Sequence, residues 1–341
     1  MKYKLLGKSG LRVSEFSLGT MTFGLEWKWG SDREESKRVF ELYANAGGNF
    51  IDTANRYTEG TSEKLVGEFI ASDRDHFVLA TKYSLYDRMN DPNFCGNHRK
   101  NMMRSVEQSL KRLNTDYIDL LWLHIWDATT PVDEILRGLD DLVRQGKVHY
   151  IGISDTPAWV IAQANTMAEL RGWTSFVALQ IEYSLLQRTP ERELLPMAKA
   201  FGLTVTPWGA IGGGALTGKY LHNESGRLPE HSSRRSERAN KIAEVVLQVA
   251  SELGVSASQV AIQWSRQYPK QEVIPIIGAR TEAQLRDNLG ALSLTLPDEA
   301  MAKLDEVSKI DLGFPHDFYK TDAVRLSLFG GLYDKIQLRY D

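Results

Sequence analysis

The sequence predicts an α/β fold, a parallel (β/α)8 TIM barrel preceded by an N-terminal β-hairpin, and two observations point to it. Apolar strand-like runs alternate with helical patterns along most of the chain, and parallel neighbours need connections of helix length. Three runs in the first third end in residues that can hold or move a proton. Asn49-Phe50-Ile51 leads into Asp52 with Tyr57 in the turn beyond, residues 77–81 end in Lys82, and residues 119–123 end in His124. Strand ends of a parallel barrel share one rim, so these four side chains are expected to converge there.

The elements follow in order. Tyr3-Lys4-Leu5-Leu6 and Leu11-Arg12-Val13-Ser14, joined by Gly7-Lys8-Ser9-Gly10, read as the hairpin. Strands are expected at 16–19, 49–53, 77–82, 117–124, 148–154, 176–181, 203–208 and 273–277. Helices are expected at 32–46, 62–70, 98–113, 131–145, 157–170, 192–201, 241–253, 257–267 and 282–289. Ser62, Pro131 and Pro157 stand where a cap or first-turn residue belongs, and Gly47-Gly48, Gly146 and Gly202 stand where helices stop. A long loop after the seventh strand, 209–238, is rich in Gly, Ser, Asn and Pro and is expected to cover a site or to move. The tail after Leu304, with its aromatic run 314–319, is expected to be irregular and to close over the barrel mouth. The expected organisation is one domain, 1–341, comprising hairpin 1–15, barrel 16–290, and a C-terminal helix and tail over 291–341.

Composition narrows the function. The net charge is -3, from 41 basic and 44 acidic residues, and the basic stretch Arg234-Arg235-Ser236-Glu237-Arg238 is broken by an acid and read as a solvated loop and helix start. No nucleic-acid partner is therefore expected. The single cysteine, Cys95, forms no internal disulfide, and no apolar run has the length of a signal peptide or membrane span, which predicts a soluble cytoplasmic protein. The histidines are scattered without zinc spacing, so no metal is expected.

The four strand-end residues suit protonation of a carbonyl oxygen. A tyrosine hydroxyl with a pKa of about 10 holds its proton too tightly to cycle easily, and an ammonium at Lys82 stabilises tyrosinate at Tyr57. Asp52 keeps the lysine charged and oriented, while His124 donates a hydrogen bond to the substrate oxygen.

At these residues the chain resembles the aldo-keto reductases. Asp52-Thr53-Ala54 through Tyr57 with Ser62-Glu63-Lys64-Leu65-Val66-Gly67, then Thr81-Lys82 and Leu123-His124, are similar to that family's signatures, and the likeness runs from the hairpin to about Leu304. The resemblance implies NAD(P)H bound across the barrel mouth and direct hydride transfer to a small-molecule carbonyl, or from an alcohol in reverse. It assigns Ser154, Asp155 and Gln180 to the carboxamide, Asp155 departing from the usual asparagine, and Trp208 to stacking on the nicotinamide. It assigns Gly213, Leu216 and Lys219 to the pyrophosphate, and Gly278, Arg280, Gln284 and Asn288 to the adenosine phosphate. Arg280 favours NADPH over NADH, although Gly278 replaces a lysine and Gln284 an arginine common in NADPH-dependent members. Trp27, Trp29, Tyr86 and Trp126 lie in loops after strand ends and are expected to line the substrate pocket.

Two decoys fall away. Residues 213–219 nearly spell a triphosphate-binding loop, but Tyr220 stands where Ser or Thr must hold magnesium, and no Rossmann glycine fingerprint follows the first strand. The first function reading is thus an NADPH-linked carbonyl reductase. The second is a cofactor-binding regulatory subunit like the channel-associated β subunits that share the fold, and the third, metal-assisted hydrolysis, lacks ligands.

Overall fold

Alternation along each strand decides which residues meet at the centre of this protein. The computed structural model of the chain describes all residues except 223–227, 230 and 338–341, so part of the expected long loop lies outside the described residues. Strands β1 (Tyr3–Leu5) and β2 (Arg12–Ser14) form the antiparallel hairpin. Strands β3 (Ser17–Gly19), β4 (Phe50–Asp52), β5 (Val78–Tyr83), β6 (Ile118–Leu123), β7 (Val148–Ser154), β8 (Phe176–Glu182), β9 (Thr204–Trp208) and β10 (Ile276–Gly278) form one parallel sheet in the order β10-β3-β4-β5-β6-β7-β8-β9. The ring closes just before β10, where the Val205 N–H donates to the Glu272 carbonyl at 3.1 Å and the Ile274 N–H to the Val205 carbonyl at 2.9 Å.

Inward positions at the amino-terminal end of the barrel are apolar. Phe50, Val78, Ala80, Leu120, Trp122, Ala178 and Ile274 form one buried cluster with Leu6 and Val13 of the hairpin, which plugs that end. Intervening residues such as Leu121, Leu123, Ile151, Ile153, Leu179 and Val205 point outward into the layer shared with the helices. Trp122 fills the axis so fully that a Cβ on Gly152 of the neighbouring strand would lie 2.3 Å from its ring. The next inward positions after the apolar layer are Asp52, Lys82, His124 and Gln180, so one period-2 register places a greasy floor below and a polar rim above.

The helices are α1 (Arg33–Asn45), α2 (Thr61–Ile70), α3 (Arg99–Leu113), α4 (Val132–Arg144), α5 (Ala158–Arg171), α6 (Leu194–Phe201), α7 (Glu237–Leu253), α8 (Ala257–Gln267), α9 (Glu282–Leu289), α10 (Asp298–Ser308), α11 (His316–Tyr319) and α12 (Asp322–Phe329). Pro131 and Pro157 occupy the cap positions expected of them, and Gly202 ends α6 in the left-handed conformation. Ser62 stands in the first turn of α2, also as expected, and its hydroxyl bonds Thr20 and Thr53 and ties the helix to the rim. Helix α7 begins four residues earlier than expected because the Ser236 hydroxyl caps it at the Ala239 N–H. The tail departs further from expectation. It contains α11 and α12, and none of its described residues lines the central cleft. No single helix among the described residues is long and apolar enough to cross a membrane.

Candidate active site

Asp52, Lys82 and His124 reach the rim by strand register, whereas Tyr57 reaches it through a tight turn. Thr58, Glu59 and Gly60 all have positive φ, and the β-branched Thr58 is held at φ 46° by hydrogen bonds from its hydroxyl to the Phe23 carbonyl (2.6 Å) and from the Ser62 N–H (3.1 Å). A β-branched residue rarely adopts this conformation, so the turn that aims Tyr57 is held by its surroundings.

Lys82 is fully buried and commits its ammonium to three acceptors: Asp52 Oδ2 at 2.5 Å, the Thr53 carbonyl at 2.8 Å and Tyr57 Oη at 3.1 Å. Asp52 Oδ1 also accepts from Gln180 Nε2 at 2.9 Å, so both carboxylate oxygens are occupied. Burial alone would lower the Lys82 pKa, but the neighbouring Asp52 and Tyr57 raise it above the usual lysine value. The lysine is a cation at neutral pH.

Tyr57 corrects part of the sequence reading. Burial pushes its pKa up, and the opposing pull of Lys82 is smaller, so the resting hydroxyl holds its proton more tightly than an ordinary tyrosine. The ammonium 3.1 Å away still favours tyrosinate once charge begins to develop. His124, whose ring stands edge-on 6.1 Å from that of Tyr57, is driven well below the usual histidine pKa by burial and then by Lys82. It is neutral. Its Nδ1 is buried with no partner among the described residues, so the cheaper tautomer leaves Nδ1 as the bare lone pair and carries the proton on Nε2.

Asp52, Tyr57 and His124 line a cleft of about 990 Å³, with the Lys82 ammonium buried beneath them. Of the expected cofactor contacts, Asp155, Gln180, Trp208, Gly213, Lys219, Gly278, Arg280, Gln284 and Asn288 line it, along with Trp27 and Trp29. Ser154 is buried behind Asp155 at the end of β7. Leu216 is not a lining residue. Its side chain is fully buried in the core between barrel and helices. Tyr86 and Trp126 also stand outside the lining: Tyr86 takes a 2.7 Å hydrogen bond from Arg56, and Trp126 packs edge-on against Trp159 with ring centroids 5.7 Å apart. The sequence reading missed Arg234, taken there as solvated. It lines the cleft, pairs with Glu182 at 2.5 Å and lies 5.7 Å from the centre of the Trp208 ring. The available signal was Glu182, an acid two residues beyond Gln180 at the carboxyl end of its strand, which calls for a cation from a facing loop.

The cleft fits an extended dinucleotide. Gly213 and Gly214 have φ of 67° and 93°, and a Cβ on Gly214 would meet the Lys219 ammonium at 2.6 Å, so bare backbone and a cation face the same space. At the far end Thr281 caps α9, and the Arg280 guanidinium has no hydrogen-bond or ion-pair partner among the described residues.

The comparisons with known proteins agree with this geometry. The aldo/keto reductase family model matches residues 15–309. A norsolorinic acid reductase of Aspergillus flavus is 39% identical over 324 residues, covering 92% of this chain and 82% of the relative. An aryl-alcohol dehydrogenase [NADP(+)] of Phanerodontia chrysosporium is 38% identical, covering 96% of this chain and 91% of the relative. A putative aryl-alcohol dehydrogenase of Saccharomyces cerevisiae is 37% identical, covering 94% and 90%. The chain belongs to the aldo/keto reductase family, and is an NAD(P)H-dependent oxidoreductase.

Proposed function

We propose that this enzyme reduces aromatic aldehydes or ketones with NADPH, and oxidises the corresponding alcohols with NADP+, using Tyr57 as the general acid. The observation that carries the reading is the Tyr57 hydroxyl set 3.1 Å from a fully buried ammonium on the floor of the cleft. Tyr57 donates its proton to the carbonyl oxygen as negative charge builds there, and Lys82, locked by Asp52 and the Thr53 carbonyl, stabilises the tyrosinate left behind. The Nε2–H of His124 positions the same oxygen. When bound, the reduced nicotinamide supplies the hydride to the carbonyl carbon. Trp208 offers a flat face for the ring, Asp155 and Gln180 border its amide with Ser154 buried behind them, Gly213 and Lys219 serve the pyrophosphate, and Arg280, Gln284 and Asn288 serve the adenosine phosphate.

The aromatic preference rests on the wall opposite. Trp27 stands edge-on to Tyr57 at 6.3 Å and tilted against Trp29 at 5.7 Å, so a planar substrate meets ring faces and edges beside the acid. Relatives named for aryl-alcohol substrates support it. The complete tetrad and the enzyme names of the relatives favour turnover over the regulatory reading.

The cofactor preference is tested at Arg280. A planar guanidinium without a protein partner is suited to a 2′-phosphate. Titrating each cofactor by fluorescence, Arg280→Ala is expected to weaken NADPH at least about tenfold while NADH changes little, since a charge-assisted contact contributes roughly 1.5–3 kcal/mol. Equal weakening of both cofactors would remove Arg280 from that role.

A further inference from the structure

Asp52 and Asp155 line the cleft beside Tyr57 and Trp208, Glu182 lies just behind through its contact with the lining Arg234, and two of these three acids have cationic partners. Asp52 is paired with Lys82, and Glu182 with Arg234. Asp155 makes no salt bridge among the described residues. Directly after β7 its backbone is left-handed, with φ 40°, its N–H donates to the Gln180 carbonyl at 3.2 Å, and one carboxylate oxygen accepts a 3.3 Å hydrogen bond from Trp208 Nε1. That neutral bond holds the carboxyl at the cleft wall beside the tryptophan face without cancelling its charge.

The charged and titratable groups facing Asp155 can be named strand by strand. β4 and its turn bring Asp52 and Tyr57, β5 brings Lys82, β6 leads to the neutral His124, and β8 brings Glu182 with Arg234 attached. Because Lys82 and Arg234 are each bonded to another acid, an ionised Asp155 leaves a net negative charge where a hydride-accepting ring must lie if it is to serve a carbonyl held by Tyr57. The oxidised nicotinamide ring is a cation and the reduced ring is neutral. A fixed carboxylate in a poorly hydrated cleft distinguishes the two by charge alone.

We propose that Asp155 makes this site prefer the oxidised over the reduced nicotinamide cofactor, and that the preference grows with pH. The inference rests on the NADP(H) reading above and adds to it a residue that biases the enzyme toward alcohol oxidation. Burial beside Glu182 lifts the Asp155 pKa to about 6, so its charge switches within the range where enzymes work. Linkage then fixes the sign. A cationic ring binds better to the ionised carboxyl, so its affinity rises as pH passes about 6, while the neutral ring gains nothing from ionisation.

The test is the ratio of NADP+ to NADPH affinity, measured by calorimetry or protein fluorescence from pH 5.5 to 8 without substrate. Titration of the phosphates is common to both forms and cancels in the ratio. In the parent protein the ratio is expected to rise about threefold across this window, the share above pH 5.5 of the tenfold total that one pKa unit of mutual influence between ring and carboxyl produces. In Asp155→Asn, which keeps the size of the side chain and tolerates the left-handed backbone, the ratio should be flat and lower at pH 8. A flat ratio in the parent, or an unchanged rise in the variant, would overturn the role of Asp155 while leaving the cofactor reading intact. Failure of the parent to bind either form would overturn both.

Discussion

His124 is a residue whose protonation is settled by where the strand delivers it. Burial comes first and Lys82 second, and both hold the ring neutral, well below the ordinary histidine pKa. In the unfolded chain the same ring takes a proton near pH 6.5. Below that pH unfolding takes up a proton that the native state refuses, so the stability contributed by neutral His124 is lost as pH falls through about 6.5. Asp155 works in the opposite sense. Its native pKa of about 6 lies above the ordinary aspartate value, so between the two its contribution falls as pH rises. Comparing parent with His124→Gln separates the two effects. The stability difference between them is expected to shift against the parent by about 1 kcal/mol from pH 7.5 to pH 5.5, read by denaturant unfolding. A difference independent of pH would show that His124 takes up its proton normally in the folded protein.

At the scale of elements, the turn carrying Tyr57 is held by α2 and α3. Glu63, fully buried on α2, pairs with Arg112 of α3 at 2.5 Å and accepts from the Thr81 hydroxyl at 2.6 Å, one residue before Lys82. Gly60, which closes the turn at φ 89°, leaves room for the Arg112 side chain, since a Cβ there would lie 2.8 Å from Arg112 Cδ. Arg112→Met leaves Glu63 buried and unpaired and is expected to cost about 3–5 kcal/mol in chemical denaturation. Adding Glu63→Gln should recover much of that, and a single variant as stable as the parent would contradict the coupling. This network was not legible in the sequence. The signature from Ser62 to Gly67 marked the segment and Ser62 its first turn, but nothing in Thr58-Glu59-Gly60 announces three consecutive left-handed residues. Arg234 was hidden for a related reason. Its function depends on Glu182 from a different strand, and a basic residue in a loop reads as solvated until that contact is known.

Across the whole molecule, stability and chemistry occupy opposite ends of the barrel. Leu6 of the hairpin is fully buried among Phe50, Trp122 and other inward residues of the floor, far from the rim that holds Tyr57. Leu6→Ala is therefore expected to lower stability by about 2–5 kcal/mol while leaving kcat/KM unchanged well below the melting temperature. Loss of activity in the folded variant would show that the plug shapes the site. The barrel itself was legible because strand period, helix caps and strand-end chemistry all agree, as they do at Asp52, Lys82 and His124. The four loop aromatics divide into two pairs. Trp27 and Trp29 line the cleft, whereas Tyr86 and Trp126 find partners in Arg56 and Trp159 that no local pattern reveals. The central claim is that a phenol beside a buried ammonium delivers the proton. It is tested by single-turnover reduction of an aromatic aldehyde by bound NADPH in Tyr57→Phe, with NADPH affinity measured on the same sample. The account expects the rate to fall by about 10²–10⁴ with affinity within about twofold of the parent. A variant that transfers hydride as fast as the parent would contradict it.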